Sequence, residues 1–174
     1  MGKDKTIRLV TTALLAAIAI AIPLIMPVKV VIPPFTATLA SHVPLILAMF
    51  ISPLSAIFVT LGSALGFLVT HGPIVAARAA MHVFFAAAGA YMYKKGTNLY
   101  IIAAVTLLLH TLSDMFIVYL LFAFFGQTAI TAGNTMQYVQ FVIAVGTSVH
   151  HVLDFFIATA VYIPLSKQKS SILK

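Results

Sequence analysis

The chain has 174 residues, of which 62% are hydrophobic and 7% are charged, and its formal net charge is +7 at pH 7. Soluble domains are about 45–50% apolar and about 25% charged, so this composition predicts an integral membrane protein. The absence of cysteine excludes disulfides, thiolate metal sites and thiol catalysis. The basic residues lie beside hydrophobic segments, which favours a role in membrane topology over binding of nucleic acid.

Six hydrophobic segments predict an all-α bundle of six transmembrane helices, in one domain over residues 1–174. A helix needs about 20 apolar residues to cross the hydrocarbon. In chain order, the segments are Ile7–Met26, Ala37–Ile51, Leu54–Thr70, Ile74–Tyr93, Leu99–Phe125 and Tyr138–Leu165. The second is short for a crossing, and we expect it to be tilted, deformed or partly re-entrant. The first resembles a signal peptide, but its apolar stretch is too long for one, so we expect it to be retained.

The positions of the basic residues predict the orientation of this bundle. If the N-terminus is cytoplasmic, most of them lie in the cytoplasm, namely Lys3, Lys5, Arg8, Lys94, Lys95, Lys167, Lys169 and Lys174. Only Lys29 then lies outside, with Arg78 just inside the fourth span. This asymmetry follows the positive-inside rule and predicts that both termini are cytoplasmic.

The sequence lacks the motifs of two functional classes, P-loop ATPases and serine hydrolases. No G-x-x-x-x-G-K-[ST] sequence occurs, so the chain itself does not bind ATP through a P-loop. The stretch from Gly62 to Gly66, GSALG, differs from the G-x-S-x-G motif of serine hydrolases. Small residues four apart indicate close helix packing instead. Because the loops are also too short for a soluble catalytic domain, we predict that the chain is not an enzyme.

The last two spans each carry a histidine and an aspartate one helical turn apart. LHTLSDMFI (109–117) contains His110 and Asp114, and VHHVLDFFI (149–157) contains His150, His151 and Asp154. Ionisable groups inside a span cost about 2.5–3.5 kcal/mol, so they face a bundle interior or a cavity. We predict that the two polar stripes face each other, and that the histidine and aspartate of each pair satisfy each other and lock the two helices in register. The alternatives are a substrate site, or a metal or a haem held by the histidines.

Arg78 and several ring-bearing side chains predict a pocket that opens to the outside. Arg78 lies about one turn inside the outer face, with His82 one turn deeper, and we expect no acidic partner at this level. Arg78 either extends to the interface or, with His82, donates to an anionic or electron-rich ligand. We expect His42 and His71 at a similar depth, and Tyr138 as an aromatic wall.

Alanines recur every four residues in the first span, at Ala13, Ala17 and Ala21. Such a face allows another helix to approach closely. That helix belongs either to the same bundle or to another membrane subunit.

Taken together, these features resemble the substrate-binding S component of an energy-coupling factor (ECF) vitamin transporter. The shared features are six spans in a short chain, the alanine face, cytoplasmic termini and no ATPase motif. The stretch TLASHVPLILAMFISPLSAIFVTLGSALGF (38–67) is similar to a helix-proline-helix segment of many S components. The resemblance implies a multi-pass protein of the bacterial cell membrane that captures a small vitamin from outside.

The resemblance also implies partners and a site. The partners are a transmembrane coupling T component (EcfT), which meets the alanine face of Ala13, Ala17 and Ala21, and two ABC ATPases (EcfA and EcfA′), which use ATP and Mg²⁺. This chain itself is expected to hold no cofactor or metal. The family's pocket lies in the outer half, which favours a set of polar residues over Asp114 and Asp154: Arg78, His82, Asn134, Tyr138 and Gln140.

The vitamin stays open at this stage. A pocket of His, Arg, Tyr and Gln suits a small heteroaromatic ring with acceptor groups, such as hydroxymethylpyrimidine or a pyridoxine-like ring. Nicotinate comes next, because Arg78 would pair with its carboxylate. Two other classes stay open: a self-sufficient proton-coupled carrier that uses the His–Asp pairs, and a bis-histidine haem subunit.

Overall fold

The computed structural model describes residues 2–32, 35–126 and 134–167, and within these ranges it contains six helices and one short hairpin. The helices are α1 Lys3–Ile25, α2 Val43–Met49, α3 Pro53–His71, α4 Pro73–Lys94, α5 Leu99–Phe125 and α6 Met136–Lys167. The strands β1 Lys29–Ile32 and β2 Phe35–Thr38 pair antiparallel. Lys169 and Lys174, used in the topology prediction, lie outside the described residues, as does the side chain of Lys3. The architecture confirms the prediction of an all-α polytopic membrane protein.

Five helices of the described part are long and apolar enough to cross a membrane: α1, α3, α4, α5 and α6. The predicted second span, Ala37–Ile51, is wrong as a continuous helix, because it begins in β2, continues through a turn and ends with the seven residues of α2. As expected, this segment is deformed. Leu45 and Ile46 are fully buried, and protein surrounds the irregular backbone, which is the condition for non-helical structure at membrane depth.

The short α2 lies in the middle of the bundle. The long helices contact one another in the order α1, α3, α4, α5 and α6, and α2 packs against α1, α3, α4 and α6. The end of α2 lies at the same end of the bundle as the start of α1 and the end of α4, since Ser52, Arg8 and Lys94 line one groove. The segment from β2 through α2 therefore runs across the bundle. It takes the place of the second predicted span, so successive segments still run in opposite directions.

Capping residues explain where the helices begin. Ser52 precedes Pro53, and its hydroxyl accepts the backbone N–H of Ser55 over 3.0 Å at the start of α3. Gly72, with φ of +82°, separates α3 from α4. Asn98 accepts the N–H of Tyr100 over 2.8 Å at the start of α5. These turns are short, so α3, α4 and α5 run as antiparallel neighbours.

Small residues bring α1 and α3 into close contact. A Cβ atom on Gly62 would lie 3.3 Å from the carbonyl oxygen of Ala16, and one on Gly66 only 2.5 Å from that of Ile20. Backbone atoms cannot move aside, so Gly66 cannot accept a side chain without separation of the helices. The GSALG stretch is confirmed as a helix-packing surface.

Candidate functional site

A small polar cavity of about 30 Å³ lies inside the bundle between β2, the start of α2 and the facing sides of α4, α5 and α6. Phe35 and Phe67 contribute aromatic rings, and Arg78, Asp114 and several histidines contribute polar atoms. The apolar core packs on either side of it, so the cavity is the polar centre of an otherwise hydrophobic protein.

An ion pair lies in the wall of this cavity. Nη2 of Arg78 donates to Oδ2 of Asp114 over 2.7 Å, and both side chains are buried. The hydroxyl of Thr147 donates to the same oxygen over 3.1 Å, and Nε2 of His82 lies 3.5 Å from Oδ1. The expectation that Arg78 has no acidic partner is therefore wrong. The antiparallel packing of α4 and α5 brings Asp114 to the level of Arg78 and places it in the cavity.

Asp154 accepts hydrogen bonds from the backbone of the segment that leads into α2. Its two carboxylate oxygens accept the backbone N–H groups of Ala40 and His42, each over 2.8 Å. Ala40 has φ of +64°, a left-handed conformation that is costly for alanine. The neighbouring His150 lies 3.1 Å from the hydroxyl of Ser41 through Nε2. Asp154 thus holds the left-handed turn at Ala40 against α6, next to the cavity.

The polar stripes of α5 and α6 face each other, as predicted. Nδ1 of His110 lies 3.1 Å from Nδ1 of His151, and the hydroxyl of Thr106 lies 3.1 Å from Nε2 of His151. The hydroxyls of Thr111 and Ser148 are 3.2 Å apart. These contacts join the two helices along their length.

Within each His–Asp pair, the histidine is not the nearest partner of the aspartate. His110 is 3.9 Å from Asp114 and His150 is 3.5 Å from Asp154, whereas both carboxylates have shorter contacts with other elements. The prediction that each pair satisfies itself is corrected by these distances. Burial gives each carboxylate several partners, because one imidazole cannot occupy all the lone pairs of a carboxylate.

The structure brings together only some of the residues predicted to bind substrate. Arg78, His82 and His42 line the cavity, and so do three residues predicted to be structural: His110, Asp114 and His150. The deep residues His151 and Asp154 lie behind them, in contact with His110 and His42 respectively.

Four other predicted residues lie outside the cavity: His71, Asn134, Tyr138 and Gln140. His71 is 2.7 Å from the hydroxyl of Thr70, and the side chain of Tyr138 is half exposed. The amide of Gln140 donates to the carbonyl oxygen of Met115 over 3.2 Å. These residues sit on helix ends and outer faces, which periodicity alone does not separate from the interior.

The hairpin supplies residues that the sequence analysis missed. Phe35, Thr36 and Thr38 of β2 line the cavity, and the Arg78 guanidinium lies 5.5 Å from the centre of the Phe35 ring. Gly146 leaves room for that ring, because a Cβ atom there would lie 2.6–2.8 Å from its carbons. The signal in the sequence is the short KVVI–PP–FTAT pattern, two stretches rich in β-branched residues separated by two prolines.

Most of the alanine face of α1 is exposed in the part of the chain that the structure describes. Ala13 and Ala17 are exposed and Ala21 is partly exposed, while Ala16 on the other side of the helix packs against α3. Packing within the same chain, one of the two readings of this face, does not account for Ala13 and Ala17. Binding of a partner subunit there stays a prediction.

This fold and cavity define a multi-pass membrane protein with a buried polar site for a small molecule. No family model matches the chain, and no solved structure matches it at a significant level. A curated protein does: the chain is 36% identical over 173 residues to the niacin transporter NiaX of Lactococcus lactis subsp. cremoris (strain MG1363), covering 95% of this chain and 77% of that protein. The chain belongs to the niacin-transporter family of ECF S components, multi-pass proteins of the bacterial cell membrane.

Proposed function

We propose that the chain captures niacin from outside the cell as the substrate-binding subunit of an ECF importer. The similar protein from Lactococcus lactis is named a niacin transporter. Niacin is a flat pyridine ring with a carboxylate, so it offers acceptor atoms at the ring nitrogen and at the carboxylate. A site for it needs buried donors and aromatic walls, both of which this cavity contains.

The observation that carries the proposal is a set of buried polar side-chain atoms that form no hydrogen bond within the described part of the chain. Among the described residues, six buried side-chain atoms lack a hydrogen bond, and five of them belong to residues that line the cavity. They are Thr36 Oγ1, His42 Nδ1, Arg78 Nε, His82 Nδ1 and Asp114 Oδ1. Buried polar groups in native proteins are nearly always satisfied, so the four of these atoms that can donate indicate a ligand with acceptor atoms, whereas Asp114 Oδ1 can only accept.

The arrangement around Arg78 supports a heteroaromatic acid. Only Nη2 of its guanidinium donates to Asp114, which leaves Nε as a donor that a carboxylate can accept. Phe35 lies over the guanidinium and Phe67 also lines the cavity, so a planar ring has aromatic surfaces to pack against. These features, with the related protein, favour nicotinate over the hydroxymethylpyrimidine and pyridoxine-like rings that the sequence analysis ranked first.

A competition experiment tests the substrate. The purified protein is titrated calorimetrically with nicotinate, nicotinamide, pyridoxine and hydroxymethylpyrimidine; the chain has no tryptophan, so fluorescence quenching offers less signal. We expect one site per chain, with nicotinate bound at least tenfold more tightly than pyridoxine or hydroxymethylpyrimidine. Tighter binding of either of these would overturn the niacin assignment.

The energy source is proposed to lie in partner subunits. The chain has no P-loop motif, so we propose that a T component (EcfT) and two ABC ATPases (EcfA and EcfA′) supply ATP hydrolysis. Uptake into proteoliposomes should require these subunits and ATP. Concentrative uptake by this chain alone would favour the proton-coupled carrier instead.

The haem alternative finds no support in the geometry. His110 and His151 are in direct contact, with their Nδ1 atoms 3.1 Å apart, so no gap separates the two rings for a macrocycle. A haem between them would require α5 and α6 to separate.

A further inference from the structure

Three histidines from three different helical segments meet in the wall of the cavity. His42 lies at the start of α2, His82 on α4 and His110 on α5. The centres of their rings are 4.4–4.7 Å apart, and one ligand atom of each lies within 4.8 Å of the other two. All three side chains are buried, with 6% or less of their surface exposed. Such a cluster is the donor set that divalent transition metals prefer.

One nitrogen of each ring already has a neighbour that can orient it. Nδ1 of His42 lies 3.2 Å from Asp154, at an oblique angle for a hydrogen bond, and Nδ1 of His110 lies 3.1 Å from His151. Nε2 of His82 lies 3.5 Å from Asp114. Metal-binding histidines are characteristically oriented in this way through their second nitrogen, often by a carboxylate.

The other nitrogen of each ring is left for a ligand. Nδ1 of His82 is buried without a hydrogen bond to any described residue. Nε2 of His42 and Nε2 of His110 form no hydrogen bond to another described residue, and Nε2 of His110 lies 3.9 Å from Oδ2 of Asp114. Three imidazole nitrogens without protein hydrogen bonds therefore belong to one buried cluster.

We propose that His42, His82 and His110 bind one divalent transition-metal ion of the zinc, cobalt or nickel class. Zinc–imidazole bonds are about 2.0–2.1 Å long, so two ligands of a tetrahedral ion are about 3.4 Å apart. One ligand atom of each residue lies within 4.8 Å of the other two, so each pair of these atoms must approach by up to about 1.4 Å to reach this spacing. Three protein ligands leave a fourth position for water or a ligand atom in the cavity.

A second possible group, His42, His150 and Asp154, is less suitable. The carboxylate of Asp154 already accepts two backbone N–H groups, and Nε2 of His150 lies 3.1 Å from the hydroxyl of Ser41. Binding of an ion there would compete with the contacts that hold the start of α2. The cluster around His82 loses no hydrogen bond.

The charge of the cavity also favours a cation. With neutral imidazoles, the charged side chains that line the described cavity, Arg78 and Asp114, sum to zero, and Asp154 behind the lining brings the sum to −1. A divalent ion changes this sum to +1. If niacin is the substrate, as proposed above, its carboxylate would then enter a positive site. The family resemblance implied no metal in this chain, and the gaps of 40 and 28 residues between His42, His82 and His110 show no local ligand spacing.

The test measures zinc binding without niacin. The protein is purified through a tag that contains no histidine, stripped with EDTA and titrated with Zn²⁺ by calorimetry. We expect about one Zn²⁺ per chain and at least 100-fold weaker binding in His82→Gln and in His110→Gln. His71→Gln serves as the matched control, since His71 lies outside the cluster, and it should bind as the wild type does.

Two further measurements keep the proposal decidable. If the variants do not fold, the visible absorption spectrum of the wild type with added Co²⁺ is the test. Intense bands of a four-coordinate site support the cluster, and their absence overturns it. Absence of saturable Zn²⁺ binding, or binding in both the His82 and His110 variants as tight as in the wild type, also overturns it. Niacin binding is measured in parallel with EDTA. Niacin bound without any metal site rejects only the metal, whereas Zn²⁺ bound without any niacin binding rejects only the proposed function.

Discussion

Arg78 on α4 and Asp114 on α5 form a buried ion pair of 2.7 Å, and Thr147 on α6 donates to the same carboxylate. One aspartate therefore joins three helices at the wall of the cavity. Removal of one partner of a buried pair costs about 3–5 kcal/mol, because the other charge stays buried. Variants at this pair must keep both charges if they are to report on binding rather than on folding.

Arg78→Lys is the variant that meets this condition. It keeps the charge beside Asp114 but loses the planar guanidinium and its Nε donor. Each charge-assisted hydrogen bond contributes about 1.5–3 kcal/mol, so we expect niacin affinity to fall about ten- to a hundredfold. His82→Ala should show a smaller loss. Calorimetry measures both, with Arg8→Lys on the exposed start of α1 as the control. Wild-type affinity in Arg78→Lys would exclude Arg78 from substrate binding.

Asp154→Asn is expected to affect stability more than affinity. Asp154 accepts two backbone N–H groups at the start of α2, and an amide can replace only one of its oxygens. We expect a fall in melting temperature of several degrees in detergent, with niacin affinity reduced less than tenfold. Asp4→Asn, at an exposed acid, is the control. A large loss of affinity at an unchanged melting temperature would instead place Asp154 in the binding site.

Replacement of both Ala13 and Ala17 by Trp tests the exposed face of α1. Bulk there should prevent the close approach of a T component, so reconstituted ATP-dependent uptake should be lost while niacin binding stays near the wild-type level. The matched control is Leu112→Trp with Phe116→Trp, two exposed positions four residues apart on α5. Loss of niacin binding together with misfolding in the alanine variant would show that this face packs within the chain.

Gly146→Ala tests the contact between α6 and the Phe35 ring of the hairpin. The added methyl would lie 2.6–2.8 Å from carbons of the Phe35 ring, which packs over Arg78. We expect a lower melting temperature and weaker niacin binding, although alanine favours a helix by about 1 kcal/mol over glycine. Phe35→Leu should recover part of the lost stability in the double variant. If Gly146→Ala lowered the melting temperature equally in the wild type and in the Phe35→Leu variant, this contact would be contradicted.

Composition and helical periodicity predicted much of the fold. The spans of α1, α3, α4, α5 and α6 follow the hydrophobic segments within a few residues, because burial in lipid requires long apolar helices. The facing stripes of α5 and α6 follow in the same way, since residues three or four apart share a helix face. The same rule identified Gly62 and Gly66 as a packing surface.

Contacts between distant segments were decided only by the tertiary structure. Periodicity shows which side of a helix is polar, but it does not fix the register of that helix against a partner 36 residues away. The pairing of Arg78 with Asp114 and the meeting of His42, His82 and His110 both depend on that register. The hairpin before α2 is a further case. In the turn between the hairpin and α2, Asp154 accepts the backbone N–H groups of Ala40 and His42 inside the bundle, and no local pattern in the sequence records this partner 112 residues after His42.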